Sequence, residues 1–178
     1  MKRKSTIIIS ISALIVVIFG ILISHYQVAI SLSPYEFLQK KFEDYSSHYP
    51  VQFLCQFEVD ENTTAVVYLT EEQRIWKYYV KKTWYGYSRK QLEGGNWSGG
   101  FLGDVPMTPE SFQAGEVFWG EKEKDLFCWG LFKDERIESI YLEGNKVEIL
   151  ETSYPGLRLF WYMRPADGSM PYPLEVFY

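Results

Sequence analysis

The chain has 178 residues, of which 47% are hydrophobic and 18% aromatic, enough apolar material for one well-cored domain; a disordered chain is excluded. Its formal charge is −5, and because Lys2, Arg3 and Lys4 contribute three positive charges at the start, the rest carries −8. Such an acidic body excludes a nucleic-acid binder, which needs clustered Lys and Arg to meet phosphates.

In chain order, the first element is the run from Thr6 to Ser24, 19 residues without a charge. As a helix at about 1.5 Å per residue it spans roughly 28 Å, close to the thickness of a bilayer's hydrocarbon. Basic residues precede it and an acidic body follows, so the positive-inside rule puts the N-terminus in the cytoplasm and the body outside. A cleaved signal peptide has the same polarity but an apolar core of only about 7–15 residues. Residues 1–31 therefore read as a basic tip and transmembrane signal-anchor, and residues 32–178 as an extracytoplasmic β-rich domain. A cleavage site at Ala29-Ile30-Ser31 keeps the secreted alternative open.

Ser33-Pro34-Tyr35-Glu36 has the composition of a capped helix start, with Tyr35, Leu38, Phe42 and Tyr45 along one apolar face up to Pro50. The period then changes to two. Val51, Phe53, Cys55, Phe57 and Val59 alternate with Gln52, Leu54, Gln56 and Glu58, as in a strand. Further strands are predicted at Thr64–Thr70 and Ile75–Tyr87. After the segment Gly94-Gly95-Asn96-Trp97-Ser98-Gly99-Gly100-Phe101-Leu102-Gly103 comes a short helical turn opening at Thr108-Pro109. Strands resume at Glu116–Trp119, Leu126–Phe132, Ile137–Leu142, Lys146–Glu151, Leu157–Met163 and Leu174–Tyr178, separated by turn-forming residues. The fold class expected is α+β and β-rich: one amphipathic helix, then a mainly antiparallel meander forming a curved sheet, a sandwich or a partial barrel.

The glycine-rich segment invites a phosphate-cradle reading, but no Lys follows the glycines and no helix opens after them, so both nucleotide fingerprints fail. What the glycines do permit is a loop that displays Trp97 and Phe101. Together with Trp84, Tyr85 and Tyr87, these rings are the candidate partner contacts. In a strand, neighbouring rings point to opposite faces, so each aromatic cluster is expected to offer one face to the core and the other to water or a partner. Cys55 and Cys128 are a candidate disulfide; each also sits among apolar neighbours, where a free thiol packs as a small hydrophobe.

No catalytic, cofactor or metal-ligating set emerges. His25 lies at the membrane boundary, and His48 sits in the loop-like Ser46-Ser47-His48-Tyr49-Pro50, where it reads as a solvated residue. The acid pairs Glu71-Glu72, Glu121/Glu123/Asp125 and Asp134-Glu135 fall in expected turns, where carboxylates stay solvated.

The N-terminal Met1-Lys2-Arg3-Lys4, the Ile/Val-rich span and the stretch Trp129-Gly130-Leu131-Phe132-Lys133-Asp134-Glu135-Arg136-Ile137 resemble small membrane-anchored exported proteins of Bacillus-type bacteria. The resemblance covers the layout and one hairpin and transfers no functional residue. It implies a single-pass protein of the cell membrane. The function expected is binding of a partner at the cell surface, whether a membrane protein, a peptide or a wall glycan. An envelope-acting enzyme using carboxylates, or an accessory subunit of a membrane complex, are the alternatives.

Overall fold

The structure is a computed structural model that describes residues 11–22, 32–83, 86–89, 98–109, 117–119, 125–165 and 174–178. Residues 11–22 form helix α1, and every residue in it is exposed. Among the described residues no helix is long and apolar enough to cross a membrane. The outer parts of the expected span, 6–10 and 23–24, lie outside them.

Helix α2 (Pro34–Lys41) begins as the sequence implies. Ser33 Oγ accepts from the Glu36 N–H at 3.2 Å, and Ser33 N–H donates to Glu36 Oε2 at 2.7 Å. The helix is shorter than the apolar spacing suggests. It closes at Lys41 with Phe42 as C-cap, so Tyr45, expected on its buried face, is exposed in the following turn. Leu38 and Phe42 do bury.

Three antiparallel sheets follow. The first has β1 (Gln52–Asp60), β2 (Thr63–Leu69), β3 (Arg74–Thr83) and β4 (Gly86–Arg89) in order, with β5 (Ser98–Phe101) sharing the outer edge of β3. The second has the order β10 (Glu148–Glu151), β11 (Arg158–Pro165), β7 (Asp125–Phe132), β6 (Val117–Trp119). The third is small, with β12 (Glu175–Phe177), β8 (Ser139–Leu142) and β9 (Asn145–Lys146). No described strand path closes into a barrel. Two expectations change here. The single strand Ile75–Tyr87 is two strands, β3 and β4, which pair antiparallel with Thr83 opposite Gly86. The glycine segment is not wholly a loop either: Ser98–Phe101 pairs with β3.

Alternation of side chains sorts the core into layers. Val66, Tyr68, Tyr78 and Val80 face Leu38 and Phe42 of the α2 layer. From the opposite face of the first sheet, Cys55, Phe57, Ala65, Val67, Leu69, Ile75 and Tyr79 meet Trp129, Leu131, Leu157 and Leu159 of the second. The back of the second sheet packs Cys128, Phe132, Phe160 and Tyr162 against Ile140, Leu142 and Val147. The order is helix, sheet, sheet, small sheet. Both rings of Tyr78-Tyr79 are consequently buried, as are Phe160 and Tyr162. A layer covers either side of Tyr78-Tyr79, whereas Phe160 and Tyr162 share one face and Trp161, on the other, is half-buried. The corner between the first two sheets is fastened where Ser153 donates from its N–H to the Leu54 carbonyl at 2.7 Å and from its hydroxyl to the Phe53 carbonyl.

Cys55 and Cys128 are free and buried. They belong to different layers, since Cys128 points to the back of the second sheet while its neighbour Trp129 points toward Cys55. Burial pushes the Cys55 thiol up to about 12. In the native protein at pH 8 neither thiol is expected to react with Ellman's reagent within minutes, whereas in denaturant both do. A cross-link would show as no reactive thiol in either condition.

The β8–β9 hairpin turns on Glu143 and Gly144, with φ of 51° and 76°. Both central residues of such a two-residue turn need positive φ, which glycine tolerates and glutamate does not. Glu143→Asn is expected to stabilise the domain by about 0.5–1 kcal/mol, read as a higher urea midpoint at unchanged slope.

Candidate partner-binding surface

Of the rings expected to contact a partner, Trp84, Tyr85 and Trp97 lie outside the described residues. Tyr87 does not face outward: its ring packs on Phe37 of α2 at 6.1 Å, at the edge of the helix layer. Phe101 is exposed, and the Arg74 guanidinium covers its ring at 4.7 Å.

Around Phe101 the fold assembles a strip that the sequence does not bring together. The Gln73 carbonyl accepts from the Leu102 N–H at 2.9 Å, fixing the end of β5 to the β2–β3 turn. Lys133 Nζ donates to the Gly103 carbonyl at 3.4 Å. The Met107 carbonyl accepts from the N–H groups of Lys133 at 3.2 Å and Asp134 at 2.9 Å, so the segment after β5 runs beside the turn after β7. The Arg136 guanidinium then lies 5.7 Å from the ring centroid of Tyr178. Phe101, Met107, Phe177 and Tyr178 are all exposed. Exposed apolar side chains rimmed by guanidinium groups are the material of partner recognition.

The charges in this strip are held, not loose. Asp134 Oδ1 accepts from Arg136 Nε at 2.9 Å and from its backbone N–H at 3.0 Å, and Oδ2 accepts from Nη2 at 2.7 Å. Those bonds, the guanidinium first, hold the Asp134 carboxyl down at about 2. Arg74 is paired to Glu72 at 3.0 Å. The guanidinium groups are thereby fixed by a carboxylate at the edge, and each also lies against a ring, Arg74 on Phe101 and Arg136 on Tyr178.

The sequence predicts neither Met107, Tyr178 nor Arg136 as a contact. Only Phe101, beside glycines, carries a visible signal. His48 is also placed differently from expectation. Its ring sits 4.4 Å from Trp76 and 5.9 Å from Phe42, with Ser47 Oγ at 2.8 Å from Nδ1, half-buried against the helix layer and half in solvent. Glu71, Glu72 and Glu135 are exposed turn residues. Among the described residues no group of three His, Cys, Asp or Glu side chains is placed to hold a metal ion.

A second depression, about 410 Å³, is lined by Glu138, Lys146, Val147, Glu148, Ile149 and Arg158. Its arginine is structural. Nε lies 2.8 Å from Glu151 Oε1, Nη1 donates to the Ile137 carbonyl at 2.5 Å, and the guanidinium covers Phe132 at 5.3 Å.

One buried polar side chain stands apart. Lys77 is 0% exposed, between the first and second sheets. Its Nζ donates to the Tyr79 hydroxyl at 2.5 Å and lies 4.5 Å and 4.6 Å from the ring centroids of Tyr79 and Trp129. Burial holds its amine well below the ordinary lysine range. The sequence does contain the signal: Lys77 shares a face with Ile75 and Tyr79, both core residues. No protein-family model matches this chain, and no curated protein or solved structure matches it.

Proposed function

We propose that this is a single-pass membrane protein, N-terminus inside, whose β-rich domain faces outward and binds a partner through the strip around Phe101. The observation that carries the anchor is α1: its nine large apolar side chains are between 41% and 69% exposed, on every side of the helix. Leaving them in water instead of burying them costs on the order of 20 kcal/mol at about 1.5–3 kcal/mol each, and lipid removes that cost. A helix apolar all round has no face to turn to water.

The binding reading rests on Phe101, Met107 and Tyr178. The domain has already closed three internal clusters, so these exposed side chains are surplus to its folding. The partner class that fits is a protein segment presenting aromatic or aliphatic side chains, met by the exposed Phe101, Met107 and Tyr178, with Arg74 and Arg136 stacked on two of those rings.

The test has two parts. In intact cells, added trypsin should remove the domain while a cytoplasmic marker survives; protection until the cells are broken would reverse the orientation. Photo-crosslinking from position 107 should then capture a partner in wild type. Phe101→Ala combined with Tyr178→Ala should lower that capture at least tenfold, and unchanged capture would remove the strip from the binding site.

A further inference from the structure

Lys77 occupies a row that crosses the first sheet. Cys55 pairs with Val67, and Val67 with Lys77, so the three side chains stand side by side on the face turned toward the second sheet. Opposite them come Trp129 and Leu131 from β7 and Leu159 from β11. A charged ammonium is among the least tolerated groups in such a cluster, and an aromatic cage offsets only part of its lost hydration.

The geometry points to an acid-operated latch: the first two sheets close around Lys77 as a neutral amine, and uptake of one proton there favours their separation. The proton required is supplied by solvent, and no covalent step is involved. The described titratable groups beside the amine are Tyr79 on its own strand and Cys55 on β1; Cys128 of β7 lies on the back of the second sheet, and its charge, were it ionised, would raise the amine's pKa against the effect of burial. Burial pushes the Tyr79 hydroxyl upward and the Cys55 thiol up to about 12, so both stay neutral below pH 9. β2 presents Thr63, Ala65, Val67 and Leu69 to this face, none of them titratable.

The sign follows from proton counting. The folded amine's pKa lies below that of the opened chain, about 10.4, so between the two values the open state binds one more proton. Closure is therefore favoured as pH rises through that window and is lost as pH falls. The open population grows by up to about tenfold per pH unit and levels off below the folded value. The Asp134 carboxylate, held down at about 2, remains ionised throughout.

The readout is labelling of Cys55 and Cys128 by 4,4′-dithiodipyridine in the full chain, in detergent micelles, from pH 9 to pH 5. Rates are normalised to those of the denatured chain at each pH. The expected result is a rise approaching tenfold per pH unit across part of that range, which Lys77→Met flattens. Equal slopes in wild type and Lys77→Met overturn the proposal. If the methionine variant does not fold, ¹³C-labelled lysine in the wild-type chain decides. One Cε resonance that titrates well below the other lysines supports the latch, and all lysines titrating together above pH 10 overturn it.

Discussion

Replacing Trp129 by alanine is expected to cost about 3–5 kcal/mol, most of the stability an ordinary domain possesses. Trp129 is fully buried and is the largest side chain between the first two sheets. It sits on β7, paired with Trp161 of β11, and its ring forms one wall of the cage around Lys77. Truncation leaves a void that neighbouring strands fill only by shifting both sheets, and it removes aromatic shielding from a buried amine. Trp129→Phe should recover roughly half of the loss. Met163→Ala, on the same sheet but exposed, should fall within about 0.5 kcal/mol of wild type. Urea denaturation followed by circular dichroism distinguishes these outcomes. A Trp129→Ala variant within 1 kcal/mol of wild type would mean that the two sheets do not pack as described.

The second large effect concerns residues 1–31. Their removal is expected to move the protein from the membrane pellet entirely to the soluble fraction while leaving the urea midpoint of the domain unchanged within about 0.5 kcal/mol. The reason is that, among the described residues, the three core clusters draw on Tyr35 and later residues. The apolar side chains of α1 are exposed instead. Full-length protein that stays soluble after high-speed centrifugation would remove the anchor. A truncated chain that aggregates would show that α1 contributes to the domain.

Local rules were legible in the sequence where one or two residues decide the outcome. Ser33 and Glu36 close their capping box as their spacing implies, and the expected alternation holds in β1 from Cys55 to Val59, whereas a bulge between Phe53 and Cys55 turns Phe53 to the helix layer and buries Leu54 beside Cys55. Glu61-Asn62 and Glu143-Gly144 mark the turns they make. What the sequence conceals is which layer covers which face. Trp76, Tyr78 and Tyr79 have the composition of a half-exposed aromatic platform, yet α2 lies on one side and the second sheet on the other. The Thr83/Gly86 pairing was hidden because Trp84 and Tyr85 continue the strand-like composition in the sequence. The strip around Phe101 escapes sequence reasoning for a different reason. Met107, Arg136 and Tyr178 are far apart in the chain and carry no shared pattern; only the pairing of Met107 with the turn after β7, and of β12 with β8, makes them neighbours.

The fastening of Ser153 to Phe53 and Leu54 spans 100 positions of sequence. It has a bearing on biosynthesis. A ribosome delivers β1 to β5 well before β7, β10 and β11, so the first sheet emerges with Val67, Leu69, Ile75 and Tyr79 bare on one side. Until the chain has lengthened past residue 165, that half-built layer is a sticky intermediate which must be shielded or translated through quickly. Nascent chains stalled near residue 120 should therefore recruit holdase chaperones, and chains stalled beyond the last strand should release them.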